Sequence, residues 1–441
     1  MIRKLLTGSA ALFAIRLSGA GIGFLTQVLL ARLLGSHELG VFYSATSLAA
    51  VAGFVMSQGY SQIAYRFSAR YRDASKSALF KAFVSRALYD ALWTSTAAAI
   101  IVALVSFLAP GMDASERIVW ALSGALIVPS ALMVVYTNLA GAIRMFGLCY
   151  APEGIGKPVL FMALVIGVWA FDSEPTGADV MLMFAITVTV VTGFIVWVLR
   201  KHLPAVAKPS SKAEGRLAKR WRAEARPLVL LSLYTNSFAD VAILFATPFL
   251  SQSDLAVFGV CLKLSLLIGY FVQITQQMAI PDLADAREHR DLAGMRRASK
   301  RAVVLPLALT VAAMLGCIVL GEQILAVFGP EFATARNVLL IMVASQIARS
   351  LAGPSAHMLT LSGRQVLNAS LCVGALVALA IANAVFDPVY GPTGAAWAVV
   401  ISYVGWTIAT VVTLDRIGEV RTDFVALLMD SNRPARPIPG E

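Results

Sequence analysis

The chain has 441 residues, of which 58% are hydrophobic and only 14% are charged, with a mean hydropathy of +0.76. This composition excludes an ordinary soluble protein, in which about a quarter of the residues are charged. The net charge of +11 does not indicate nucleic-acid binding, because the basic residues lie in short segments between apolar runs, and no nucleic-acid partner is expected.

The apolar runs are long enough to cross a membrane, which takes about 20 residues as a helix. In the first half of the chain they cover 7–33, 39–63, 86–109, 118–141, 154–171 and 179–199. In the second half they cover 227–250, 255–280, 302–320, 336–360, 367–386 and 393–414. The sequence therefore predicts an all-α integral membrane protein with twelve transmembrane helices.

A polar, basic segment, 200–226, with nine Lys/Arg and two Pro, separates these two halves. Segments rich in Lys and Arg stay on the cytoplasmic side of a membrane. The predicted organisation is an N-terminal six-helix lobe (1–199), a basic cytoplasmic linker (200–226), a C-terminal six-helix lobe (227–414) and a cytoplasmic tail (415–441).

The distribution of basic residues orients the predicted helices. With the N-terminus inside, thirty of the 36 Lys/Arg fall in inner segments and three fall at outer ends. The remaining three, Arg16, Lys263 and Arg349, lie within spans. A bias of this size predicts that both termini are cytoplasmic.

Two short motifs repeat at nearly the same offset. The sequence ELGVF at 38–42 returns as DLAVF at 254–258, and PTGA at 175–178 returns at 392–395, offsets of 216 and 217. Six spans per half make the repeats parallel, related by an axis along the membrane normal. We therefore expect two parallel-related lobes around a central cavity, with the site near mid-depth.

Several corners of the chain resemble those of a known family. The segments that carry the resemblance are QVLLARLLG (27–35) with ELG (38–40), GYSQIAYR (59–66) with Ala69, FGPEF (328–332) and YGPTGAA (390–396). They are similar to polysaccharide flippases of the O-antigen type, in the multidrug/oligosaccharidyl-lipid/polysaccharide (MOP) exporter superfamily. The resemblance covers essentially the whole chain.

The resemblance implies a flippase that moves a polyprenyl-diphosphate-linked oligosaccharide across the bacterial inner membrane by alternating access. The product would serve O-antigen, capsule or exopolysaccharide assembly. The implied partners are the lipid-linked oligosaccharide, membrane lipids and a polysaccharide polymerase or export machinery. An ion-coupled multidrug or metabolite exporter of the same superfamily remains the alternative. A membrane glycosyl ligase or polymerase is disfavoured, because no catalytic motif is found, and an enzyme is not expected.

Two arginines within spans are the first site candidates. Arg16 and Arg349 lie about 15 Å deep at 1.5 Å per residue, and neither has an acidic residue three or four positions away. Charges at this depth are costly and indicate function by default. Because guanidinium groups grip phosphate oxygens bidentately, we expect both to bind the anionic head group of the substrate. Structural packing charges are the alternative.

A second group combines charge and hydrogen bonding. Asp240 and Lys263 are expected at similar depth, either as a structural salt bridge or with Asp240, near Asn236, as an ion-coupling switch. Lys263 is also a substrate-binding candidate. Gln273, Gln276, Gln277 and Gln58 are expected either to hydrogen-bond sugars or to join helices.

Two closely spaced charge pairs are expected at helix ends. Arg86 with Asp90, and Glu153 with Lys157, are each four residues apart, the spacing of a helical ion pair. No phosphate-binding loop or metal-ligand spacing is present in the sequence. We therefore expect no cofactor and no metal site, and coupling to an H⁺ or Na⁺ gradient or to the membrane potential, worth about 2.3 kcal/mol per charge per 100 mV.

Overall fold

A computed structural model describes the backbone of residues 2–70, 77–171, 175–203, 212–289 and 291–428. Side chains are described for 18–70, 78–170, 175–203, 217–289 and 291–428. Throughout these ranges the regular structure is helical, without strands. The predicted all-α class is therefore confirmed.

The first of two compact units comprises Met1–Leu244. Its helices are α1 (Ile2–Met56), α2 (Tyr60–Arg70), α3 (Ser77–Leu108), α4 (Ala114–Ala142), α5 (Phe146–Ala151), a π-helical turn (Pro152–Gly156), α6 (Lys157–Phe171), α7 (Gly177–Leu199), α8 (Lys212–Asn236) and most of α9 (Phe238–Ala246). The predicted lobe boundaries stay predictions, since this division by internal contacts falls at 244/245 rather than within 200–226.

The second unit comprises Phe245–Glu441. Its helices are α10 (Gln252–Glu288), α11 (Leu292–Ala326), a 3₁₀ turn (Pro330–Ala335), α12 (Arg336–Ala352), α13 (Ser355–Leu361), α14 (Gln365–Tyr390), α15 (Pro392–Arg416) and the short α16 (Phe424–Leu428).

The length and hydrophobicity of the helices identify a multi-pass membrane protein. In the described part of the chain, nine helices are long and apolar enough to cross a membrane, or eleven if each of two bent pairs counts as one span. The first of these merges two helices, because Gly35 within α1 has φ 67° and is not helical. Twelve spans remain a prediction, while the polytopic all-α fold is established.

The repeated motifs mark helix starts. Thr176 caps α7 in a capping box with Asp179, satisfying backbone N–H groups that a helix start leaves without partners. The next backbone N–H, that of Gly177, donates to Glu38 Oε2 at 2.6 Å. Two of the corners that carried the sequence pattern are thus in contact within the first unit.

The basic linker predicted over 200–226 is partly helical. Its second part is helical, since α8 begins at Lys212. Trp221 is 1% exposed and packs edge-on against Phe83 and Phe67, with ring centroids 5.4 and 6.4 Å apart. The number of charged residues in the segment does not reveal this packing, because one buried apolar face is enough to hold an otherwise polar helix in place.

Two helices are broken where their backbone geometry changes. The α8/α9 pair bends by 86° at Ser237, and the α12/α13 pair bends by 44°. The second bend has a local cause, because Gly353 has φ 58° and Pro354 follows it. In membrane transporters, discontinuous helices are where ions and substrates commonly bind.

Candidate functional site

Arg349 lies near the end of α12, half-buried, 13 residues after the first residue of that helix. Its guanidinium lies over the ring of Tyr403 from α15, 5.8 Å from the centroid. In the described part of the chain no carboxylate pairs with it. A desolvated cation–π contact is worth about 2 kcal/mol, less than the cost of a charge at the centre of a membrane helix, about 3 kcal/mol or more.

Polar groups continue beside Arg349. Gln346, one turn earlier, is fully buried, and its Oε1 accepts no hydrogen bond from any described residue. It packs against Gly269 of α10, where a Cβ would lie 2.3 Å from Oε1. His357 of α13 lies within electrostatic range of Arg349. Sequence reasoning missed this histidine, because the bend between α12 and α13 is not visible in the pattern.

Three of the predicted glutamines, Gln273, Gln276 and Gln277, occupy one stretch of α10, while Gln58 lies between α1 and α2. Gln273 is half-buried and Gln276 is 6% exposed, with an Nε2 that donates to no described group. An unused buried donor can receive a ligand oxygen. Whether these amides bind sugars or join helices stays a prediction.

The ion-coupling candidates flank the 86° break. Asn236 ends α8, exposed, and its amide donates to Thr235 Oγ1 at 3.2 Å. Asp240 lies in the first turn of α9 and accepts from Ser47 Oγ at 3.3 Å. A carboxylate in the first turn is favoured by the helix dipole.

The other two predicted cations are only partly described. Lys263 is half-buried in α10, in the second unit. Its pairing with Asp240 stays a prediction. Arg16 lies in α1, and its side chain lies outside the described residues.

A buried acid not singled out from the sequence lies in α14. Asp387 is 2% exposed, and both of its carboxylate oxygens are without a hydrogen-bond partner among the described residues. Asn383, one turn earlier, is fully buried, and its Oδ1 is also unpartnered. A buried carboxylate in this condition must bind a proton or a cation. Its signal in the sequence was an Asp close to the end of an apolar run.

Within the side chains that the structure describes, no group of three or more His, Cys, Asp or Glu is placed to hold a metal. What the arrangement offers is therefore cations, amides and isolated acids at membrane depth, suited to binding and moving a charged solute.

The chain is similar to known transporters along most of its length. No protein-family model matches it. The probable low-salt glycan biosynthesis flippase Agl15 of Haloferax volcanii is 24% identical over 407 residues, covering 90% of this chain and 80% of that protein.

Solved structures agree on the architecture. The lipid II flippase MurJ in its inward closed conformation superposes with a TM-score of 0.73 at 12% identity, over 92% of this chain and 87% of that one. An inward-facing multidrug resistance MATE family transporter of the MOP superfamily superposes with a TM-score of 0.63 at 16% identity, over 95% of this chain and 96% of that one. The chain has the fold of these transporters. The resemblance predicted from the corner motifs is confirmed at that level.

Proposed function

We propose that the protein is a flippase for a polyprenyl-diphosphate-linked oligosaccharide, working by alternating access. The observation that carries this is Arg349, a cation within a membrane helix that has aromatic and amide neighbours but no carboxylate among the described side chains. Such a charge is stabilised by an anion that enters and leaves, and a diphosphate supplies one. The matched relative, a glycan biosynthesis flippase by its name, supports the same substrate class.

The proposed location is the bacterial inner membrane, with both termini cytoplasmic. Supporting this, four basic side chains at the start of α11 are exposed beside an apolar helix: Arg296, Arg297, Lys300 and Arg301. Juxtamembrane clusters of this kind face the cytoplasm. Reporter fusions after Lys208 and after Gln252 are expected to read cytoplasmic and periplasmic, and the reverse at either position would overturn the topology.

The proposed activity is transport without catalysis and without a cofactor. Coupling would use an H⁺ or Na⁺ gradient or the membrane potential, with Asp387 and Asp240 as the acids that respond. The glycan would pass to a polysaccharide polymerase or export machinery.

Deletion of the gene tests the proposal. The expected result is accumulation of the polyprenyl-linked repeat unit on the cytoplasmic side and loss of the surface glycan, restored by the wild-type gene. Normal levels of lipid-linked sugar in the deletion strain would contradict flipping. The second candidate, ion-coupled export of a drug or metabolite, would then be favoured, since the MATE fold and the buried acid Asp387 suit it as well.

A further inference from the structure

Lys157 does not form the helix-end ion pair expected with Glu153. Glu153 lies inside the π-helical turn Pro152–Gly156, in which the backbone N–H of Lys157 donates to the carbonyl of Pro152, five residues back. No described carboxylate pairs with Lys157, and Glu153 is exposed.

The lysine also lies deeper than the sequence indicated. The span was predicted over 154–171, which put Lys157 at the inner surface. The helical run that is long and apolar enough to cross a membrane is instead Phe146–Ala170, which includes the π-turn. Lys157 lies about 17 Å along this run from its first residue, near its middle. From mid-depth a lysine cannot snorkel to either surface.

An aromatic cluster holds the ammonium group in place. Lys157 Nζ lies 5.6 Å from the ring centroid of Phe184 in α7. Phe184 in turn packs against Phe42 and Phe161, with centroids 5.7 and 5.1 Å away. Such a contact offsets only part of the cost of a charge in a membrane. The half-buried ammonium therefore retains capacity for an anion.

The π-turn touches the helix that carries Arg16. A Cβ on Gly19 of α1 would lie 1.6 Å from the carbonyl oxygen of Gly154, so the two backbones are in direct contact. Arg16 precedes Gly19 by three residues, and Lys157 follows Gly154 by three. The backbone of Arg16 and that of Lys157 are thus each within about one helical turn of a single crossing point.

We infer that Lys157 is an anion-binding residue of the first unit, which takes the diphosphate group of a polyprenyl-linked substrate near the crossing of the π-turn with α1. This rests on the proposed function for the identity of the ligand. No ion pair with a described carboxylate neutralises the lysine, and the aromatic ring of Phe184 contacts it without removing its charge.

Binding to the purified full-length protein tests the inference, with farnesyl diphosphate as the probe and farnesol as the uncharged comparison. Lys157→Met is expected to weaken farnesyl diphosphate binding by about tenfold to a hundredfold, the worth of a charged hydrogen bond. Farnesol binding should not change. Lys157→Arg should retain most of the diphosphate affinity, because the charge remains.

Phe184→Leu is the matched control, since it removes the aromatic contact and leaves the ammonium. If Lys157 binds the anion, this variant should keep diphosphate affinity within about threefold of wild type. Equal losses in Phe184→Leu and Lys157→Met would reduce Lys157 to a packing residue and overturn the inference. The inference would also be overturned if Lys157→Met bound the diphosphate as tightly as the wild type does. It would be overturned as well if the wild type bound no diphosphate.

Monodispersity and the melting temperature without ligand should match wild type in each variant used. The result is separable from the deletion experiment. Diphosphate binding that depends on Lys157, in a protein whose deletion leaves lipid-linked sugars unchanged, would sustain the site and reject only the proposed function.

Discussion

Arg222 of α8 donates two hydrogen bonds to the carboxylate of Asp90 in α3, from Nε at 2.8 Å and from Nη2 at 3.0 Å. Asp90 also accepts from Arg86 Nε at 3.0 Å and from the Tyr60 hydroxyl at 2.7 Å. The predicted Arg86–Asp90 pair is therefore present, within a larger buried network. This network, together with Trp221, holds the helical part of the basic segment against α2 and α3.

Arg222→Ala is expected to lower the free energy of unfolding in SDS by about 1.5–3 kcal/mol, because it removes a bidentate, charge-assisted contact. Arg220→Ala is the matched control on the same helix. Its ion pair with Glu224 is 60% exposed on the arginine side, so the loss should stay under about 1 kcal/mol. Equal losses in the two variants would show that the Asp90 contact does not hold α8.

Gly19→Ala is expected to destabilise the protein by about 1–3 kcal/mol or more, because the new Cβ would force α1 and the π-turn apart. Gly21→Ala, two residues along the same helix, meets nothing within 4 Å and should be neutral or slightly stabilising. Thermal unfolding of both variants in one detergent is the measurement. A tolerated Gly19→Ala would rule out the close crossing.

Arg349→Ala is expected to reduce flipping by about tenfold or more, the worth of a charged hydrogen bond, at unchanged membrane abundance. Arg349→Lys should be partly impaired, because it keeps the charge and loses the planar fork. Tyr403→Phe keeps the ring beneath the cation and should remain active. Complementation of the deletion strain, with immunoblots of the membranes, measures this. Wild-type flipping by Arg16→Ala/Arg349→Ala would remove both arginines from the site.

Asp387→Asn is expected to stabilise the purified protein near pH 8 by about 1–3 kcal/mol while impairing ion-coupled transport. The change removes a buried charge whose oxygens are unpartnered, and the amide can donate to Asn383 Oδ1. The exposed Asp415 provides the comparison, since Asp415→Asn should alter stability by less than about 0.5 kcal/mol. Lower stability in Asp387→Asn would mean that the carboxylate has a structural partner.

Asp423, beyond the last span, gives a pH-dependent contribution to stability. Burial raises the pKa of Asp423, but the Arg421 guanidinium, 2.8 Å away, outweighs burial and holds the pKa below its ordinary value. A depressed carboxyl pKa stabilises the fold above the unfolded pKa, near about 4. That contribution is lost as the pH falls through the folded pKa.

The melting temperature of Asp423→Asn should therefore fall below that of wild type at pH 7, and the gap should narrow near pH 3.5. Detergent-solubilised protein scanned at both pH values gives the comparison. The Arg287–Glu419 pair at 2.9 Å is present in both proteins and cancels. A gap of the same size at both pH values would contradict the role of the Arg421 contact.

The apolar runs and their flanking charges determined the class of this protein. In lipid every backbone polar group must be satisfied within the segment, so a long apolar run can only be a helix, and the pattern is local. The corner motifs were readable for the same reason, because a helix cap such as Thr176 with Asp179 involves residues three apart. The mid-span position of Arg349 followed from counting along one helix.

Only the tertiary structure decided which polar residues are partnered and how deep some of them lie. Arg86 and Glu153 looked equivalent, each with an opposite charge four residues on. The first pair is formed in a regular helix, while Glu153 lies exposed in a π-turn and forms no ion pair with Lys157. The contacts of Asp90 with Arg222 and of Gly19 with Gly154 join residues 132 and 135 positions apart. Such pairings depend on packing between helices, which local periodicity does not encode.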